Sequence, residues 1–102
     1  MGTRNVTIHG RLTADPDFDT KNELAKFTVA VDDGYKKDYT HFFDVVAWKK
    51  RAETVVNNFQ KGKEIIVTGQ LQQERWENEE GKTRSMITIN LESFDFCGKK
   101  GD

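Results

Sequence analysis

The chain has 102 residues, 35% hydrophobic and 32% charged, with 16 Lys plus Arg against 17 Asp plus Glu for a formal net charge of −1. That length suits one domain, residues 1–102, which can bury about two thirds of its unfolded surface around a single core. The even charge excludes a globally basic partner for polyanions, so any affinity for phosphate has to come from a local basic stripe.

The single cysteine, Cys97, cannot close an internal disulfide. One Cys with two distant histidines, His9 and His41, does not supply the closely spaced ligands of a tetrahedral metal site, and neither a metal nor another cofactor is expected. No basic-then-apolar leader and no long apolar run is read, which points to a reducing cytoplasm and away from a membrane.

From Asn5 to Thr13, Val6, Ile8, Gly10 and Leu12 alternate with Asn5, Thr7, His9, Arg11 and Thr13, the period of a half-buried strand. Asp15-Pro16-Asp17 reads as a turn, and Leu24 to Asp32 alternates again with Phe27, Val29 and Val31 inward. Asp32-Asp33-Gly34 opens a loop through Tyr35, Lys36, Lys37 and Asp38. Tyr39 to Trp48, dense in aromatic and β-branched residues, is the third strand.

The period then changes. Ala52, Val55, Val56 and Phe59 share one face of a helix over Lys50 to Gln60, with Gly62 placed to end it in the left-handed conformation. Glu64 to Trp76 is extended, and Asn78-Glu79-Glu80-Gly81 is a turn. Arg84 to Leu91 alternates Ile87, Ile89 and Leu91 against Met86, Thr88 and Asn90. Phe94 and Phe96 fall on the opposite parity, which predicts a bulge near Glu92 or Ser93. Gly98-Lys99-Lys100-Gly101-Asp102 reads as a frayed end.

Three strands, one helix and two strands, with Gly10 and Gly69 where a small closed sheet must bend, predict an all-β fold. The layout is that of a five-stranded oligonucleotide/oligosaccharide-binding (OB) barrel, with one short helix between strands 3 and 4 and its nucleic-acid face on strands 2 and 3.

Trp76, in the polar run Gln72 to Gly81, has little local apolar company to bury it. An indole offered to solvent beside a basic side chain is a surface on which bases stack, at about 1 to 3 kcal/mol per base. Tyr35, Phe42 and Trp48 extend such a surface. Parity puts Phe42 and Trp48 on one face, opposite Phe43, Val45 and Ala47, about 20 Å apart at about 3.3 Å per residue. Trp48 also suits a core or subunit contact, and Tyr35 also suits a mobile loop.

Candidate phosphate contacts are Lys36 with Lys37, Lys49, Lys61, Arg75 and Arg84. Arg75 and Lys49 rank first as sequence neighbours of Trp76 and Trp48, and Arg11 is assigned to the sheet or a subunit contact. Val46 and Ile66, apolar on the outward parity, hint at cover by another subunit. No phosphate loop, serine elbow or paired-carboxylate motif is read, so no catalytic residue is assigned and the chain is expected to be non-catalytic. A nuclease pair built from His9 and His41 is the weak alternative.

The words of the sequence resemble the bacterial and phage-type single-stranded DNA-binding proteins over nearly the whole chain. The anchors are V-T-I-H-G-R-L-T-A-D-P-D from Val6 to Asp17, Phe27 to Val31, Asp44 to Trp48 leading into Ala52-Glu53, Lys61-Gly62, and Val67 to Leu71. The resemblance implies a homotetramer that wraps single-stranded DNA without sequence preference in the cytoplasm, associated with the nucleoid, during replication, recombination or repair. It places the stacking aromatics at Tyr35, Phe42, Trp48 and Trp76.

Full-length bacterial members continue into an acidic-tipped tail that recruits replication and repair proteins. This chain ends after the barrel, as a short form or as part of a longer protein, so tail-mediated recruitment is not carried over. Glu74, Glu77, Glu79 and Glu80 around Trp76, and Asp44 on the Phe42/Trp48 face, depart from the more basic pattern of relatives and predict weaker binding. The alternatives are a primosomal replication-restart OB protein or an OB module for protein or structured RNA. Aromatics at all four positions favour single-strand coating.

Overall fold

In a computed structural model that describes residues 2–96, the alternating segments form one sheet. Its elements are β1 (Asn5–Leu12), β2 (Asp17–Asp19), β3 (Leu24–Asp32), β4 (Thr40–Trp48), α1 (Lys50–Asn58), β5 (Glu64–Glu77) and β6 (Thr83–Phe96). The order is β1-β5-β6-β4-β3-β2, and β1 pairs in addition with β3 at Arg11↔Ala30 and Leu12↔Val29, which closes the sheet into a ring. Five long strands with the helix between the third and fourth of them match the expected OB layout.

The small strand β2 was not expected. Beyond Pro16 the chain goes straight into pairing, Asp17↔Lys26 through Asp19↔Leu24, so the turn closes one residue earlier than its Asp-Pro-Asp signal implies. Asp19 then holds the return turn, its carboxylate accepting from the amides of Lys21 (3.0 Å) and Asn22 (3.2 Å) and from the Asn22 side chain (2.8 Å).

Inside the ring, the inward parities of the strands meet as Leu12, Phe27, Val29, Val45, Ile65, Val67, Ile89 and Leu91, all buried. Helix α1 adds Ala52, Val55 and Phe59 to the same cluster, as its apolar spacing predicts. The helix ends earlier than expected. Phe59 is already extended (φ −127°, ψ 146°) although its amide still bonds to Val55 O, because its ring turns into the core. Gly62 (φ +86°) therefore does not end the helix. It shapes the turn into β5 and donates its amide to Leu12 O at 2.8 Å.

The predicted bulge is present. Thr68 faces Ser93 while Gly69 faces Leu91, so Glu92 is the extra residue. The shift flips the parity of β6 and brings Phe94 edge-on to Phe59, 5.2 Å between centroids. The side chain of Phe96, Cys97 and the C-terminal segment read as frayed lie outside the described residues.

Glycine is required at two crossings of the ring. A Cβ on Gly10 would run into the backbone carbonyl of Ala30, and one on Gly69 into that of Asn90. At both places neighbouring strands come closer than any side chain allows.

Ile87, assigned inward by parity, is 60% exposed. β4 pairs with β6 only from Asp44↔Thr88 to Val46↔Asn90, so among the described residues no third strand pairs with the tip of the β5–β6 hairpin before Thr88. Periodicity gives a residue's face, but how far neighbouring strands reach decides whether that face is covered.

Arg11 and His9 both meet Glu64 at 3.0 Å, which keeps Arg11 within the sheet, while His41 bonds Asp33 at 2.6 Å. The two histidines thus serve separate carboxylates. Gly69→Val should lower the unfolding free energy by about 1 to 3 kcal/mol in urea melts, as overpacking does. Gly2→Val, in open space, should leave it unchanged. Equal stability of the two variants would contradict the crossing geometry.

Candidate nucleic-acid interface

On the outside of the sheet, register aligns the remaining parity. β3 contributes Lys26 and Thr28, β4 Phe42, Asp44, Val46 and Trp48, β6 Arg84, Met86, Thr88 and Asn90, and β5 Gln72, Glu74 and Trp76. Phe42, Trp48 and Trp76 thus share one face, as the sequence predicted for the first two. They are 65%, 45% and 47% exposed.

Trp48 is no core residue. Its indole Nε1 donates to Asn90 Oδ1 at 3.0 Å, which fixes the ring while nearly half its surface stays open. A groove of about 490 Å³ runs beside it, lined by Lys26, Thr28, Asp44, Glu74 and Met86 among others. Next to it, Phe42, Leu71 and Ile87 line an apolar hollow. Trp76 lies on the projecting hairpin directly across from Arg84.

Tyr35 is 99% exposed in the β3–β4 loop and stands apart from the three sheet aromatics. The loop itself is ordered by Asp33, whose carboxylate accepts from the amides of Tyr35 (3.2 Å) and Lys36 (2.7 Å) and from His41 Nε2. The hydrogen bond from His41, with help from the Lys36 and Tyr35 amides, holds the Asp33 carboxyl below the usual aspartate range. The Lys36 ammonium sits over the ring of Tyr39, 5.1 Å from its centroid, and not over Tyr35.

The other basic candidates divide. Arg84 shares the Trp76 face, but Arg75 does not: as the next residue on a strand it points to the opposite side, where its Nη2 donates to Gln73 Oε1 at 3.1 Å. Sequence adjacency ranked it too high. Lys49, adjacent to Trp48, is exposed and opens α1 with φ +54°, its amide held by Glu23 O at 2.7 Å. Lys61 is tied through its amide to Asp15, which lines the Trp48 groove.

Four residues escaped the sequence reading. Lys26 lines the groove and was legible from the parity of β3, opposite Phe27. Asn90 was visible only as an outward position, not as the anchor of Trp48. Arg4, ahead of β1, and Arg51, on α1 beside the inward Ala52, reach a hollow next to Trp48 and Asn90; no period marks Arg4, and the helical period marked only the buried face of α1. Arg4 bonds Gln70 and Gln72 at 3.0 Å, and Arg51 bonds Glu92 O at 2.7 Å.

A closed sheet of OB layout, with exposed aromatics from β4 and β5 on one outer face, defines a chain built to present that face. Residues 3–97 match the single-strand binding protein family. The chain belongs to that family. It is 34% identical over 95 residues to a single-stranded DNA-binding protein of Clostridium perfringens, covering 89% of this chain and 63% of that protein. The protein of that name from Aquifex aeolicus is 39% identical over 97 residues, covering 86% and 65%. Single-stranded DNA-binding protein 1 of Streptococcus pyogenes is 32% identical over 103 residues, covering 94% and 79%. The chain therefore spans less than two thirds of the first two relatives. Among the described residues, no helix is long and apolar enough to cross a membrane.

Because the folded Asp33 value is lowered, the stabilisation that its bonds give the loop is fully present above the unfolded aspartate value. It is lost as pH falls from there through the lowered folded value. An NMR titration should place the Asp33 midpoint below that of an ordinary aspartate, and His41→Ala should raise it. An ordinary midpoint in both proteins would contradict the clasp.

Proposed function

We propose that this chain binds and protects single-stranded DNA, without catalysis and without reading a fixed sequence, as one domain over residues 1–102. The observation that carries this reading is the shared exposure of Phe42, Trp48 and Trp76 on one face of the ring. Bases stack on such rings because every base has a π-face, which makes the contact tolerant of sequence. Tyr35 extends the path from its loop. Lys36, Lys49, Lys61 and Arg84 follow the phosphates, joined by Lys26, Arg4 and Arg51, with Arg75 serving from the far side of the hairpin. The names of the relatives support the same substrate.

In this reading the protein acts in DNA replication, recombination or repair, in the cytoplasm at the nucleoid, as a homotetramer. The apolar side chains of Leu71 and Ile87, left open on the projecting hairpin, supply surface that a second copy can cover. Asp44 and Glu74 on the stacking face weaken the pull on phosphate, so binding is weaker than in a more basic relative.

Tryptophan fluorescence tests the proposal, since Trp48 and Trp76 are the two indoles. Oligo(dT) should quench it strongly and duplex DNA of equal length weakly, with log K falling by about 0.7 per phosphate contacted for each decade of salt. Trp76→Ala should weaken oligo(dT) binding by about 5- to 150-fold, the equivalent of 1 to 3 kcal/mol. Absence of quenching at low salt would contradict the proposal.

A further inference from the structure

We propose that Asp44 gives the stacking face a preference among bases, its carboxylate accepting a hydrogen bond from the exocyclic amino group of a stacked base and so favouring cytosine over uracil or thymine. The inference rests on the single-stranded DNA reading above and deepens it.

Asp44 lies in the middle of the aromatic face, two residues from Phe42 and four from Trp48 on the same side of β4. Alternate residues of a strand are about 7 Å apart, so a base lying on Phe42 brings its edge to the Asp44 carboxylate. Its cross-strand partner Thr28 donates Oγ1 to Asp44 Oδ1 at 2.8 Å, which fixes the carboxylate plane. Among the described residues no Lys, Arg or His forms an ion pair with Asp44. Among the described residues no donor reaches the second oxygen, Oδ2, and Asp44 lines the groove.

Charge decides what that donor is. Asp15 and Glu74 line the same groove with a single cation, Lys26, so three carboxylates against one ammonium face any strand laid along it and on balance repel its phosphates. The backbone is pushed to the rim, and what remains at the centre is the edge of the base. An ionised carboxylate can only accept. Cytosine presents an amino group at position 4, where uracil and thymine present a carbonyl oxygen that meets Oδ2 acceptor to acceptor. Two pyrimidines of equal size thus differ in sign at the one atom nearest Asp44. The other amino-bearing bases, adenine and guanine, gain in the same way, but their larger rings also change stacking.

The experiment compares dissociation constants of oligo(dC) and oligo(dU) of equal length at neutral pH, for the unmodified protein and for Asp44→Asn. Uracil lacks the thymine methyl, so the contrast isolates the group at position 4. Asparagine keeps the shape and can both donate and accept, so it meets either base. Removing the charge should tighten both oligonucleotides, but the preference for oligo(dC) over oligo(dU) should fall by about five- to tenfold. A Thr28→Val variant, which frees the carboxylate plane, should lower the same ratio in part.

Equal changes for both oligonucleotides in Asp44→Asn would overturn the inference and leave the stacking face intact, with Asp44 acting only through its charge. If the unmodified protein binds neither, the single-stranded DNA reading and this inference fall together.

Discussion

The structure depends on a single strand pairing on both sides of a bend. β1 follows β5 from Asn5 to Arg11 and meets β3 at Arg11 and Leu12, so the sheet closes only if the backbones can converge there. Gly10 is where they converge, with no room for a Cβ against the Ala30 carbonyl of β3, and Gly69 gives β5 the same close approach to Asn90 of β6. Closure fills the interior with aliphatic side chains, Phe27 and one helix face. The large aromatics on the opposite parity of β4 and β5 then have nowhere to go but outward.

That outward face carries both signs of charge. A near-neutral chain carries its aromatics beside Asp44 and Glu74, while the cations Lys26, Arg4, Arg51 and Arg84 stand around them. Rings, acceptors and the Lys26 ammonium thus share one face, with Arg4 and Arg51 beside it. Trp48 shows how the sequence secures this geometry. Its indole is pinned to Asn90 on a different strand, so the ring keeps its place without being buried.

Much of this was legible in the sequence because strands have a period of two. The faces of β1, β3 and β4, the helix and the bulge at Glu92 all follow from alternation and its interruption. What escaped depends on relations between strands. Ile87 has the right parity for the core, but β4 stops pairing before it, and Gly62 carries the expected positive φ in a different turn because Phe59 leaves the helix for the core. Arg75 was ranked by its neighbour in sequence, when on a strand the neighbour is the residue that faces away. Arg4 lies ahead of β1, where no repeat marks a direction, and Arg51 lies on α1, whose repeat was read only for its buried face. The β2 pairing is only three residues long, too short to show a period.

The central claim is that single-stranded DNA lies on the outer face shared by β3, β4, β6 and the Trp76 end of β5, and not elsewhere on the ring. Backbone and indole NMR shifts of the labelled protein, followed during addition of a short oligo(dT), test it most directly. The account predicts shifts at Thr28, Phe42, Asp44, Trp48, Trp76 and Met86, with His9, Arg11 and Glu64 on β1 and β5 unmoved. Shifts concentrated at His9, Arg11 and Glu64, with both indoles silent, would contradict it.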